Sequence, residues 1–159
     1  MNIRQQLEQQ AALYRRLGAG GFMETFVLRN GKRRRGDLYK GVRGKPKDCF
    51  CTAATYVLQR NVGRYVEGYA VRPGLGLLIH HAWVEVGGVV IDPTWDRPEE
   101  AEYLGVSFTP KELRRELFLN KYYGVFCPDG IRFNTRMMLE RDPKLVELFP
   151  SLEEYHAAR

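Results

Sequence analysis

The residues of this chain best suited to chemistry lie in the stretch HHAWVEVGGVVIDPTW, residues 80–95. Two β-rich runs flank Gly87-Gly88, a pair that favours a tight two-residue hairpin turn. In a hairpin closed at these glycines, His81 is the diagonal neighbour of Asp92 on the same face. An aspartate that binds one imidazole nitrogen leaves the other nitrogen free to act as a base. The spacing therefore predicts that His81 and Asp92 form a pair. The simpler interpretation is that His81 is a structural histidine held by a hydrogen bond.

The same hairpin separates a polar face from an apolar face. The apolar face is predicted to lie on the core and holds His80, Ala82, Val84, Val86, Val89 and Ile91. The polar face holds His81, Trp83, Glu85, Val90, Asp92 and Thr94. Since Trp83 shares that face with the His-Asp pair, it is a candidate for substrate contact.

A cysteine nucleophile for this pair is available upstream. Asp48 is a suitable N-cap, and the apolar stripe that follows predicts a helix from about Cys49 to Arg60. Cys49 then lies in the first helical turn, where the backbone N–H groups favour an anion and could hold a developing oxyanion. Cys51 also borders the apolar stripe, so periodicity does not choose between the two cysteines. Either can instead be a small buried apolar residue.

The surrounding elements follow from periodicity and turn residues. We predict an amphipathic helix over residues 2–17, a glycine-containing basic loop over 29–47 and a strand over RYVEGYAV, residues 64–71. A capping box at Thr109 opens a helix through about Leu119, and residues 122–126 form a possible further strand. Short helices are predicted after Asp142-Pro143 and after Ser151. This order predicts an α+β fold in which the nucleophile helix packs on a small antiparallel sheet, with extra N- and C-terminal helices.

Length and composition restrict the class of protein. The chain has 159 residues, of which 44% are hydrophobic, so we expect one globular domain over 1–159. It has no run of about 18 apolar residues, and its N-terminus is polar, so we expect neither a membrane span nor a signal peptide, but a cytoplasmic protein. Three cysteines also argue against a disulfide framework.

The positive charge of the chain is local. The net charge is +6, and residues 29–47 contain nine basic residues and one acidic residue. Such a segment could bind nucleic acid, although no aromatic residue is interleaved among its arginines. Alternatively Arg33, Arg34 and Arg35 could select an acidic substrate, because this segment directly precedes Cys49.

A zinc site is a further alternative, with ligands from Cys49, Cys51, His80, His81 and Cys127. It is disfavoured because His80 and His81 face opposite sides of one strand. The C-x-C spacing is also shorter than that of most structural zinc sites. We therefore expect no metal and no cofactor, and Cys127 is interpreted as structural.

The order of these motifs resembles the transglutaminase-like superfamily of papain-fold enzymes. In particular the chain resembles short bacterial and phage proteins with the pattern C-[FY]-x-N-A, YVEGYA, HAW, DPTW and Y-x-G-V. The matching stretches are residues 49–53, 65–70, 81–83, 92–95 and 103–106. One departure is visible, since Thr52 occupies the place of the group's asparagine. The resemblance implies a papain- or transglutaminase-like core.

The resemblance also implies the roles of three residues: Cys49, rather than Cys51, as nucleophile, His81 as base and Asp92 as the acid that orients it. It assigns no oxyanion-hole side chain. The implied activity is acyl transfer, preferably hydrolysis of a peptide, isopeptide or related amide bond in a protein, peptide or small amide substrate. A transglutaminase or acyltransferase with an amine acceptor is the alternative, as is a module that binds a partner without catalysis.

Overall fold

The fold is built from a five-stranded antiparallel sheet and five α-helices, as described by a computed structural model of residues 1–72, 74–127 and 132–149. The helices are α1 (Ile3–Arg16), α2 (Phe22–Asn30), α3 (Cys49–Arg60), α4 (Pro110–Asn120) and α5 (Thr135–Arg141). The strands are β1 (Lys32–Arg35), β2 (Arg64–Val71), β3 (Leu78–Val86), β4 (Val89–Ile91) and β5 (Glu102–Phe108). Short 3-10 helices span Pro98–Glu100 and Pro143–Leu148. The protein is therefore of the α+β class.

The sheet has the strand order β1-β5-β2-β3-β4 and curls strongly. Asp37, two residues beyond β1, accepts a hydrogen bond of 2.9 Å from the backbone N–H of Val90 in β4, at the opposite edge. Two glycines meet across the β2–β5 pair, Gly68 and Gly105. A Cβ on Gly105 would lie 2.4 Å from the indole ring of Trp83. Glycine thus lets this large ring pack directly on the inner face of the sheet.

The curl creates two apolar cores. The larger lies between the outer face of the sheet and the helices, and α3 contributes Ala53, Ala54 and Val57 to it. The smaller lies inside the curl and contains Val66, Ala70, Trp83, Val90, Ala101 and Tyr103. The hairpin face that carries His81 and Asp92 is consequently buried as well, because the sheet folds over it.

Several predicted elements are confirmed. Helix α3 covers the predicted residues, and β2 matches the predicted strand. The hairpin has the predicted register, with Val84 opposite Ile91, and both turn glycines adopt positive φ angles. The capping box of α4 is present, with reciprocal bonds between Thr109 and Glu112. Helix α1 and the 3-10 helix after Asp142-Pro143 also agree with prediction.

Other predictions were wrong or incomplete. Residues Lys32–Arg35 form strand β1 rather than loop, because they pair with β5, a strand that was not predicted. Residues 122–126 are not a strand, since the N–H groups of Val125 and Phe126 bind the side chain of Glu67 instead of a neighbouring strand. Helices α2 and α5 were not predicted, and the helix expected after Ser151 lies outside the described residues. Within the described chain, we find no helix that is both long and apolar enough to span a membrane.

Candidate active site

The structure brings Cys49, His81 and Asp92 together at one end of the curled sheet. Asp92 directly follows β4 and is fully buried. Its Oδ2 lies 2.7 Å from Nε2 of His81 and accepts a 2.9 Å hydrogen bond from the hydroxyl of Tyr103. Its Oδ1 accepts bonds from the backbone N–H and the hydroxyl of Thr94, at 3.0 and 2.8 Å. Burial alone would raise the pKa of this carboxyl, but the bonds from His81 and Thr94 outweigh it and lower the pKa.

His81 is held between the carboxylate and the thiol. Its Nε2 binds Asp92, and the thiol of Cys49 lies close enough to interact electrostatically with the ring. The side chain is only 3% exposed. Burial would lower the pKa of the imidazole, but the interactions with Asp92 and Cys49 outweigh this and raise its pKa to about 9. The ring is therefore protonated at neutral pH, with an anionic partner on one side and a thiol on the other.

Aromatic rings enclose this pair. Trp95 stacks on the imidazole of His81 with ring centroids 4.4 Å apart and an interplanar angle of 20°. Tyr103 and Trp83 lie farther away, with centroids 6.3 and 6.4 Å from the imidazole. Because these rings keep water from the hydrogen bond between His81 and Asp92, the bond lies in a medium of low dielectric constant.

Cys49 is the first residue of α3 and is 8% exposed. The first intrahelical bond of this turn runs from the N–H of Thr52 to the carbonyl of Asp48. The N–H groups at the start of a helix have no intrahelical acceptor, and the Asp48 side chain, contrary to prediction, forms no capping bond. Cys51 does not join the site, because its Sγ lies 3.9 Å from the hydroxyl of Thr55 within the same helix.

Trp83 requires a correction. It is fully buried, and its ring packs on Gly105 and against Tyr103, with ring centroids 4.9 Å apart. The expectation that it contacts substrate does not fit this position, because the ring fills the inside of the curl. Its indole Nε1 has no hydrogen-bond partner in the part of the chain that the structure describes.

The three arginines predicted to bind substrate, Arg33, Arg34 and Arg35, lie on the edge strand β1. Arg33 forms a 2.6 Å ion pair with Glu102, and Arg34 lies 3.5 Å from Glu85. Arg35 is exposed. Two of the three proposed substrate-binding arginines are thus engaged with carboxylates of the sheet.

The next part of the basic segment does reach the site. We call residues 38–47 the basic strap. It lies next to the residues that follow β4, because the N–H of Gly44 binds the carbonyl of Pro93 at 3.0 Å. The Arg43 guanidinium donates to the backbone carbonyls of Trp95 and Asp96. The strap therefore joins the segment after Asp92 to the start of α3.

The neighbouring histidine, His80, belongs to a different buried site. Its Nε2 lies 3.1 Å from Oε1 of Glu67, which is fully buried. Glu67 also accepts bonds from the hydroxyl of Tyr65 and from the N–H groups of Val125 and Phe126, at 2.7, 2.7 and 3.0 Å. His80 and His81 thus bind different carboxylates on opposite faces of β3, and within the described ranges no cluster of three or more His, Cys, Asp or Glu residues could hold a metal.

Sequence reasoning did not assign Tyr103, Trp95 or Thr94 to the site. The hairpin pattern placed Thr94 on the same face as Asp92, which was the only local signal for it. Tyr103 and Trp95 lay within the stretches that carry the family resemblance, but β5 was not predicted, so Tyr103 could not be placed next to Asp92. Searches against protein-family models, curated proteins and solved structures find no match to this chain.

Proposed function

We propose that this protein is a cysteine-nucleophile acyl-transfer enzyme with a papain- or transglutaminase-like core, and that it hydrolyses a peptide, isopeptide or related amide bond. The observation that carries the proposal is the buried imidazole of His81, which binds Asp92 through Nε2 and lies beside the thiol of Cys49 at the start of α3. A protonated imidazole beside a cysteine favours the thiolate, which is the nucleophilic form.

In the acylation step, the thiolate of Cys49 attacks the substrate carbonyl and forms a carbon–sulfur bond. The uncapped N–H groups at the start of α3 stabilise the negative charge that develops on the carbonyl oxygen. The His81 imidazolium then gives its proton to the leaving amine as the carbon–nitrogen bond breaks. Asp92 keeps the ring oriented throughout and stabilises its charged form.

In the deacylation step, His81 takes a proton from water, whose oxygen attacks the thioester carbonyl. The carbon–sulfur bond breaks, the acid leaves, and the thiolate–imidazolium pair is restored. An amine acceptor would react through the same acyl-enzyme to give a transferase. We propose water as the acceptor because it needs no second substrate site.

Selective alkylation tests this proposal. The folded protein is treated with limiting iodoacetamide between about pH 5 and pH 9, and the modified cysteines are identified by peptide mapping. We expect Cys49 to react before Cys51 at pH values where an ordinary thiol, with a pKa of about 8.5, is protonated. His81→Ala should abolish this preference, and Cys51→Ser should retain it. Slow labelling without preference in the wild type would refute the proposal.

A second arm detects the acyl-enzyme. The protein is mixed with an activated aryl ester, and its intact mass is followed with time. Addition of one acyl group to the wild type, but not to Cys49→Ala, supports acyl transfer. Acylation of Cys49→Ala at the wild-type rate would assign the reaction to another residue.

A further inference from the structure

The structure divides the basic segment of residues 29–47 into two parts with different surroundings. In β1, Arg33 and Arg34 are paired with carboxylates of the sheet. The basic strap, residues 38–47, contains no acidic residue and four exposed cationic ones, Lys40, Arg43, Lys45 and Lys47. Among the described residues, no ion pair involves Lys40, Lys45 or Lys47. The strap therefore carries uncompensated positive charge.

The strap is fixed against the catalytic elements. Asp37, just before it, binds the N–H of Val90, and the N–H of Gly44 binds the carbonyl of Pro93. Gly44 also packs on α3, because a Cβ at this position would lie 2.6 Å from Cγ2 of Thr52. A turn with a 3.3 Å bond from the N–H of Asp48 to the carbonyl of Lys45 then leads into the helix.

This arrangement places positive charge on the segment that leads into Cys49 and on the segment that follows Asp92. Lys47 precedes Cys49 by two residues and Lys45 by four, so their Cα atoms lie within about 7 and 14 Å of that of Cys49. Arg43 is held on the carbonyl of Trp95, whose ring stacks on His81. A site bordered by one sign of charge attracts ligands of the opposite sign.

Two carboxylates lie in the same region. Asp96 is 3.8 Å from the Arg43 guanidinium, and its side chain is 92% exposed. It therefore offsets the charge of Arg43 but not that of the lysines. Asp48 is partly buried at the start of α3. Lys45 and Lys47 both precede Asp48 within three residues, so this part of the chain keeps a net positive charge.

We propose that the acyl donor carries a carboxylate close to the carbonyl that Cys49 attacks, and that Lys45 and Lys47 select it. This inference rests on the proposed acyl-transfer function and specifies its substrate class. The arginines of β1 are less suited to this role, since they lie on an edge strand and two of them, Arg33 and Arg34, are already paired with carboxylates.

Two alkylating reagents with the same reacting carbon and leaving group test the proposal. Iodoacetate carries a carboxylate, and iodoacetamide is neutral. The readout is the rate constant for iodoacetate at Cys49 divided by that for iodoacetamide. Both are measured by peptide mapping at low ionic strength. In Lys45→Ala/Lys47→Ala we expect this ratio to fall by about two- to fivefold for each lysine removed. Added salt should lower the ratio in the wild type and change it less in the variant.

Lys111→Ala/Lys144→Ala is the matched control, since it removes two exposed lysines from other parts of the surface. The proposal is overturned by a ratio that is unchanged in Lys45→Ala/Lys47→Ala, or by an equal fall in the control. Failure of the acyl-transfer proposal is a separate result, because Cys49 would then lack enhanced reactivity toward both reagents in the wild type.

Discussion

His80 and His81 are adjacent in β3, and each binds a buried carboxylate, yet the two sites differ in what lies beside the histidine. Glu67 receives three bonds from groups other than the histidine, two of them from the backbone of the segment before the C-terminal helices. His80 lies between the rings of Phe50 and Phe126. Glu67 therefore has the features of a structural site that ties residues 125–126 to the sheet.

The site around His81 and Asp92, on the other face of β3, has one additional group. Asp92 also accepts hydrogen bonds from several groups, but the thiol of Cys49 lies near its histidine. A His-carboxylate pair is therefore not sufficient to identify a catalytic site in this protein. What distinguishes the His81 pair is the nearby thiol of Cys49, which is the nucleophile in the proposed mechanism.

The largest predicted difference between the two sites concerns reactivity. Asp92→Asn should slow acylation of Cys49 by roughly 10³–10⁴-fold, because the amide no longer stabilises the imidazolium or fixes its tautomer. Glu67→Gln should slow it by less than about tenfold. The measurement is the rate of mass increase with an activated aryl ester. An equal loss of acylation rate in the two variants would show that the Asp92 and Glu67 sites do not differ in function.

The reverse difference is expected in stability. Glu67→Ala leaves two buried N–H groups and the Tyr65 hydroxyl without their acceptor, so we expect a loss of about 3–5 kcal/mol in the free energy of unfolding. Cys49→Ala should cost less than about 1 kcal/mol, because it removes only a small side chain at the edge of the core. Urea unfolding measures both. A Glu67→Ala protein as stable as Cys49→Ala would contradict the structural role.

The pH dependence of stability should follow His81. Its pKa is raised from 6.5 to about 9 on folding, so its contribution is complete below about pH 6.5 and is lost as the pH rises through 9. The loss amounts to roughly 3 kcal/mol over this window. Urea unfolding at a series of pH values should show the decline in the wild type and in His80→Gln. The same slope in His81→Gln would show that another group causes it.

The smallest effect is expected from two matched tyrosines, each of which donates one bond to a buried carboxylate. Tyr103→Phe and Tyr65→Phe should each lower the free energy of unfolding by about 1 kcal/mol. Only Tyr103→Phe should alter the rate at which iodoacetamide modifies Cys49, because its partner is Asp92. An altered rate in Tyr65→Phe, or an unchanged one in Tyr103→Phe, would weaken the comparison.

Much of the site could be predicted because its parts depend on local patterns. The turn at Gly87-Gly88 fixes the register of the hairpin, and register fixes which residues share a face with His81. Helix α3 begins at Cys49, at the start of the apolar stripe from which the helix was predicted. These features need only neighbouring residues, and the structure agrees with each of them.

The basic segment shows where such patterns are insufficient. Four consecutive cations, Lys32–Arg35, are typical of an exposed loop, but they form β1 because β5 provides a partner strand about 70 residues later in the chain. No local pattern contains that pairing. The positions of Arg33 and Arg34, and hence their ion pairs, follow from it.

The sequence by itself determined the hairpin, its register, the start of α3 and the three residue types that meet there, since turn chemistry and periodicity act over a few residues. Only the tertiary structure decided that Trp83 is enclosed and that Tyr103 and Trp95 complete the surroundings of His81 and Asp92. It also decided that the basic strap packs on α3 and on the residues after β4. Those contacts depend on the order β1-β5-β2-β3-β4 and on the curl of the sheet. Both arise from pairing and packing between segments that are distant in the sequence.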